Sequence, residues 1–285
     1  FSWQKTQISA QGQTPTTITE AGYASKVNTD EALTWINTTT APWFVQLAFN
    51  APHAPFHVPP KDKFSNITLT GAQGDSCNDD AANDDIANCY RAAAEAMDAY
   101  IGDLLSQLDA DTLANTLVIF IGDNGTTKEA IINEAGLPFS KAHSKGTVYE
   151  GGINIPVIIS GGSNLGVDSS EVTEKIQIQD LFSTILALAN VTPSSPDIDG
   201  QSLIGYLDNE TSLPQARATL FSELFSTPQG IDRWAITDGE VKYIFNETVE
   251  ECYHLVSDPG EKTNKFSDAG TAATACNNLK ENRPR

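Results

Sequence analysis

The sequence predicts an α/β fold, a mixed sheet flanked by helices on both faces, followed by a smaller antiparallel sheet. Three observations carry this expectation. Apolar runs at 43–49, 116–121 and 155–160 have strand length, and each adjoins a polar turn rich in Gly or Pro. Stripes of helical period alternate with these runs as far as residue 190, as they do when helices cover a sheet. Beyond the stretch 193–200 the texture changes to short apolar runs separated by Asp-Gly and Asn-Glu turns, which reads as antiparallel strands. The expected domains are 1–211, carrying the α/β part, and a C-terminal subdomain at 212–285.

In chain order, residues 1–27 are polar without clear period and predict loops or a short hairpin. Residues 28–36 predict a helix capped by Asn28 or Thr29, with Ala32, Trp35 and Ile36 on its apolar stripe. The strand 43–49 follows. Ile86, Tyr90, Ala93, Met97, Ile101, Leu104, Leu105 and Leu108 recur at three- and four-residue spacing and predict a long helix over 84–108. Asp79, Asp80, Asp84 and Asp85 precede or open it, where acidic groups favour a helix N-terminus; they lack the alternating spacing of a calcium loop. Strands at 116–121 and 155–160 enclose a long loop, and a helix at 178–190 presents Ile178, Leu181, Phe182, Ile185, Leu186 and Leu188. Runs at 218–224, 234–237, 241–245 and 252–255 supply the later sheet.

With 285 residues and 40% apolar content the chain can bury a large core. No apolar run approaches the roughly 20 residues that cross a bilayer, and the first five residues lack the features of a signal peptide, so any leader is expected to be removed or missing. Seventeen basic against 37 acidic residues give a formal charge of −20, which argues against nucleic acid as a partner. An anionic substrate would need positive charge gathered locally against that background. Such acidity suits a secreted or periplasmic protein from a saline habitat, and plain solubility accounts for it equally well. Cys77 and Cys89, and Cys252 and Cys276, are spaced for two local disulfides in an oxidising compartment; buried free thiols are the alternative, and no Cys/His cluster points to zinc. The Asn-x-Thr stretches at Asn37, Asn66, Asn190, Asn209 and Asn246 match the glycosylation pattern without deciding anything.

Three strand ends carry the chemistry. Asp123 and Asn124 offer a carboxylate and an amide oxygen, which suit a hard cation, although Asp-Asn-Gly is also a good turn. His53, held between Pro52 and Pro55, can hand a proton to a leaving alkoxide or make an ordinary loop contact. Lys145 opens the turn Lys-Gly-Thr-Val-Tyr-Glu-Gly-Gly at 145–152, where a fixed ammonium can neutralise an anion; an isolated lysine is usually a surface residue.

In this order, Ala51-Pro52-His53-Ala54-Pro55, Asp123-Asn124-Gly125 and the 145–152 turn resemble motifs of the sulfatase family of the alkaline-phosphatase superfamily. The likeness continues through 180–186, 199–203, Asp238-Gly239-Glu240-Val241-Lys242-Tyr243 and Asp258-Pro259-Gly260-Glu261, and so covers nearly the whole chain. It implies calcium-assisted hydrolysis of a sulfate ester, with magnesium as the alternative ion, the ester being a small molecule or a sulfated saccharide. Asp123 and Asn124 would be half of the metal shell, and Asp123 would also orient or deprotonate the nucleophile. His53 and Lys145 would be catalytic and bind the sulfate, His53 protonating the leaving alcohol. His57 falls where relatives often carry glutamine and would line the pocket. His143, with Lys141, departs from many relatives and would shape preference for the organic part of the substrate. Glu150 is expected to orient the loop.

The family pattern opens with paired aspartates at a strand end and then Cys-x-Pro-x-Arg, whose cysteine becomes formylglycine. Neither stretch occurs in these 285 residues, and none of the four cysteines has that context. The formylglycine is therefore expected in a missing N-terminal segment, which would act as companion chain, and the 285 residues alone are expected to turn over nothing. Two alternatives stand beside this reading: a phosphate or phosphonate ester hydrolase of the same superfamily, and a noncatalytic sulfated-glycan-binding module. The 145–152 turn favours the sulfatase, and the scarcity of further Asp and His ligands argues against a two-metal phosphatase.

Overall fold

The structure, a computed structural model, describes residues 2–8, 12–69, 77, 83–131, 139–167, 171–193, 195, 197–207, 217–226, 231–268 and 270–283. The chain divides into two compact units, Phe1–Leu113 and Ala114–Arg285.

In the first unit, β1 (Ser2–Gln7) and β2 (Thr16–Ala21) form an antiparallel hairpin with Ser2 opposite Ala21. Helix α1 (Ala24–Thr38) starts ahead of the expected cap. Ser25, Thr29, Ala32, Leu33 and Ile36 are its buried residues, so Thr29 is interior and not a cap. Leu33 takes the place expected of Trp35, which is exposed, because helical geometry puts 25, 29, 32, 33 and 36 on one stripe. Helix α2 (Asn83–Ser106) likewise turns a narrower face inward than its large residues suggest. Ala87, Ala92, Ala93 and Ala96 are buried with Ile86, Cys89 and Tyr100, whereas Tyr90, Met97 and Ile101 lie at the margin. Tyr23 and Tyr100 stack with centroids 6.0 Å apart. A five-residue helix α3 (Ala110–Ala114) ends at the unit boundary.

The segment 43–49 alternates half-buried and exposed side chains as a strand does, with Trp43 and Val45 packed against Leu33, Ile36 and Leu108. It forms no ladder among the described residues, so the expected strand is an extended segment without a hydrogen-bonded neighbour. Cys77 bonds Cys89 with Cα atoms 5.8 Å apart, and Phe56, Cys77, Ile86 and Cys89 form one apolar cluster. Asp79 and Asp80, and the side chains of Asp84 and Asp85, lie outside the described residues.

The second unit begins with β3 (Leu117–Ile121), which pairs antiparallel with β4 (Val157–Gly161). Between them comes one helical turn, α4 (Glu150–Ile153). Helix α5 (Gln179–Leu188) is anchored from its buried Asp180, whose carboxylate accepts from the Gln177 and Gln201 backbone N–H groups and from Arg217. Helix α6 (Ile204–Leu207) leads to the C-terminal sheet. That sheet is antiparallel in sequential order, β5 (Leu220–Ser226), β6 (Ile231–Thr237), β7 (Val241–Asn246) and β8 (Val249–His254).

Successive side chains of a strand point to opposite faces, and this sheet uses both. Trp234, Ile236, Val241, Tyr243 and Cys252 face helix α7 (Thr271–Glu281), whose Cys276 and Leu279 complete the cluster. Cys252 bonds Cys276 with Cα atoms 6.0 Å apart, tying β8 to α7. Both expected disulfides are thus present. Ala235, Ile244 and Tyr253 face the other way and pack on Val148 and Tyr149 from the lysine turn. The α/β fold is as expected, with all ladders antiparallel among the described residues. No described helix is long and apolar enough to cross a membrane.

Candidate active site

The second unit brings Asp123, Asn124, His143 and Lys145 onto two interlocked loops. β3 runs out at Gly122, whose N–H donates to Pro156 O at 3.1 Å, and the chain turns through Asp123 and Asn124. The Gly125 N–H donates to Gly152 O at 2.9 Å, and the Lys145 N–H donates to Thr126 O at 2.9 Å. Glycine makes this approach feasible. A Cβ on Gly125 would lie 1.9 Å from Gly151 O, one on Gly151 would lie 2.2 Å from His143 O, and one on Gly152 would lie 2.4 Å from Thr147 O. Gly151 and Gly152 permit close backbone contact, while Gly146, at φ 85°, takes the left-handed turn position. Asp123 and Lys145 are exposed and Asn124 is half-buried.

The lysine turn is docked on the inner face of the C-terminal sheet by two polar groups of contacts. In one, the Glu150 Oε1 accepts from Lys242 Nζ at 2.7 Å, and the Glu150 N–H donates to Glu261 Oε2 at 2.6 Å. Lys242 Nζ also lies 2.9 Å from Glu261 Oε1, and the two side chains are 1% and 0% exposed. That last contact falls at ion-pair distance without hydrogen-bond alignment, so it is charge attraction and not a directed bond. Burial pushes the Glu261 carboxyl up to about 7 against the pull of Lys242. Glu261 itself sits at φ 54°, a backbone position that costs a non-glycine residue about 1 kcal/mol and is kept where surroundings enforce it.

In the other group, Tyr149 and Tyr253 donate their hydroxyls to the buried Glu251 Oε2 at 2.7 and 2.6 Å. Burial and then Glu251 raise both phenols above their usual range. His143 stacks on Tyr149 with ring centroids 3.7 Å apart, and its Nδ1 faces Gly260 O at 3.3 Å. A carbonyl can only accept, so Nδ1 carries the proton in this contact. Glu150 holds the loop, as expected. Lys242, Glu251 and Glu261 were unassigned in the sequence, and a lysine inside the apolar run Val-Lys-Tyr-Ile-Phe was the signal for the first.

His53 and His57 belong to the first unit and share one exposed loop. The His53 N–H donates to Asn50 O at 2.8 Å, and its Nδ1 lies 2.6 Å from Ala54 O. By the same reasoning Nδ1 donates in this contact. Phe56 anchors the loop in the disulfide cluster, edge-on to Tyr90 at 6.3 Å. Downstream, Glu95 accepts from the Ser65 N–H at 2.8 Å and from Asn66 Nδ2 at 2.9 Å, and these donors hold its carboxyl below the usual range, the Ser65 N–H most of all.

Asp123 and Asn124 present two hard oxygens beside each other, which fits part of a calcium or magnesium shell of about six to eight oxygens. Among the described residues no group of three or more His, Cys, Asp or Glu is arranged to hold a metal. The remaining ligands would therefore have to come from elsewhere.

A polar loop thus follows β3 and a glycine-rich lysine turn leads towards β4. A family model described as Sulfatase matches residues 2–191, and the chain belongs to the sulfatase family. It is 28% identical over 214 residues to a sulfatase of Formosa agariphila, covering 68% of this chain and 38% of that protein. The chain spans well under half the length of the curated relatives it matches. Among solved structures, BT4656 in complex with its substrate D-glucosamine-2-N,6-O-disulfate superposes with a TM-score of 0.70 at 18% identity, covering 98% of this chain and 74% of that one. The phosphonate monoester hydrolase of Agrobacterium radiobacter superposes with a TM-score of 0.67 at 20% identity, covering 89% and 58%.

Proposed function

We propose that the protein hydrolyses organic sulfate esters, with its nucleophile on a segment that precedes these residues in the whole enzyme. The observation that carries this is the Lys145 N–H bonded to Thr126 O, which joins the lysine turn to the Asp123–Asn124 loop in a chain of the sulfatase family. Lys145 binds a sulfate oxygen. His53 gives the proton on Nε2 to the departing alkoxide as the sulfur–oxygen bond breaks. Asp123 and Asn124 would hold calcium, or magnesium, together with ligands from the preceding segment, and Asp123 would also orient the nucleophile. The bound ion would neutralise charge on the sulfate oxygens, and the formylglycine hydrate would supply the attacking oxygen. His57 lines the pocket. His143 faces the organic part of the substrate through Nε2.

A sulfated saccharide is the favoured substrate class, supported by the glucosamine disulfate bound to a structural neighbour. The two disulfides support a secreted or periplasmic location. The boundary expected near residue 212 for a C-terminal subdomain lies outside the described residues. A second reading, phosphonate ester hydrolysis, is favoured by the phosphonate hydrolase neighbour.

The test is peptide sequencing of the native protein for a segment with Cys-x-Pro-x-Arg or its formylglycine form. Parallel assays of a nitrophenyl sulfate and a nitrophenyl phosphonate, with that segment present, then separate the two readings. Sulfate release that exceeds phosphonate cleavage is expected. Preferred cleavage of the phosphonate replaces the first reading with the second, and binding of sulfated glucosamine without turnover leaves a noncatalytic module. The 285 residues alone should release no sulfate; turnover that Lys145→Ala abolishes overturns the need for the preceding segment.

A further inference from the structure

We propose that Glu261 is a positioning residue for the Lys145 turn, acting through the Glu150 amide and Lys242. This rests on Lys145 being the sulfate-binding lysine. Glu261 lies 111 residues beyond Glu150 yet supplies the acceptor for its N–H at 2.6 Å, at the point where α4 begins. From there back to Lys145 the turn is internally braced, with Thr147 Oγ1 donating to Ser144 O at 2.7 Å and the Gly152 N–H to Tyr149 O at 2.8 Å. A shift of Glu150 therefore moves the whole turn against the Asp123–Asn124 loop.

The loop bearing Glu261 is built to hold one conformation. Asp258 accepts from the Lys262 N–H at 3.0 Å and the Thr263 N–H at 2.8 Å, and the Glu261 N–H donates to Asp258 O at 3.0 Å. That bracing keeps a buried glutamate at positive φ, a combination that packing alone has no need of. Buried charge is seldom the most stable filling for such a space, and a polar cluster of this kind is better understood as fixing a register. The groups facing Glu261 are Lys242 from β7 and Glu150 from α4, with Tyr149, Tyr253 and Glu251 beyond them. One cation and two carboxylates leave an excess negative charge that a single proton cancels. An ionised carboxylate is the stronger acceptor, so loss of that proton tightens the hold on the Glu150 N–H.

The experiment is amide hydrogen exchange and pH titration by NMR on the 285-residue chain. In Glu261→Ala, exchange at Glu150 should accelerate by roughly tenfold or more, while β6 and β7 amides stay within about twofold. In Glu261→Gln, protection should persist, but the titration of the Glu150 amide signal near neutral pH should vanish. Unchanged exchange at Glu150, or equal acceleration everywhere, overturns the proposal. If Glu261→Ala does not fold, the pair Lys242→Met with Glu261→Met removes the buried charges and should show the same local acceleration. Inorganic sulfate separates this proposal from the reading beneath it. Native signals of 145–152 that ignore sulfate overturn the role of Lys145, whereas the positioning by Glu261 is judged on exchange alone.

Discussion

Gly125→Ala tests the interlock that joins the two loops. The added Cβ would stand 1.9 Å from Gly151 O and 2.8 Å from Gly152 Cα, against the 3.4 Å at which ordinary contact begins. All of these neighbours are backbone, so no side chain can swing away, and relief requires the loops to part by more than about 1 Å. The Gly125 N–H···Gly152 O bond, now 2.9 Å, then passes beyond hydrogen-bonding distance. Overpacking costs about 1–3 kcal/mol and the lost bond about 1 kcal/mol, a total near 2–4 kcal/mol. At about 2–4 °C per kcal/mol for a unit of this size, Tm should fall by about 5–15 °C. Urea denaturation gives the same quantity independently, and exchange at the Gly125 amide should accelerate. A loss under about 0.5 kcal/mol with Gly125 protection intact would refute the interlock, because that is the size of an ordinary surface substitution.

Lys242→Met leaves Glu150 and Glu261 facing each other without a cation and should cost about 3–5 kcal/mol in urea denaturation, largely regained when Glu150→Gln and Glu261→Gln are added. Glu261, held up to about 7, keeps a proton in the folded chain that the unfolded chain gives up near the ordinary 4.5. Its contribution to stability is therefore full below about 4.5 and lost as pH rises through about 7, on the order of 3 kcal/mol, and the difference between native and Glu261→Gln melts across that window should show this slope. Opening the Cys252–Cys276 bridge, which spans 24 residues, should cost about 3–4 kcal/mol by loop entropy and lower Tm correspondingly; an unchanged melt under reduction would contradict the tie between β8 and α7.

Features encoded by local pattern were legible in the sequence. The helices near 84–108 and 178–190, the strands near 116–121 and 155–160, the C-terminal sheet and both disulfides all follow from period, turn residues or spacing. The strand at 43–49 was misread because its alternation records half-burial, whereas a strand also needs a neighbour to bond. The stripe of α2 was misjudged because its alanines, and not its larger residues, occupy the closest contacts. Asp123, Asn124 and Lys145 were legible as polar residues on the connection between β3 and β4. The cluster of Glu150, Lys242 and Glu261 was not, since its members come together only when residues 92 and 111 positions apart meet across the sheet. Lys242 follows Val241 on a strand covered on both faces, by α7 and by the lysine turn, so alternation could not mark which side it faces.

The central claim is that Lys145 acts on a sulfate ester in a site completed by a preceding segment. The most direct measurement is sulfate release from D-glucosamine-2-N,6-O-disulfate by the whole enzyme, native and Lys145→Ala. A fall in kcat/KM of about a hundredfold or more with an unchanged melt is the predicted result. Equal sulfate release by the two proteins would contradict the account.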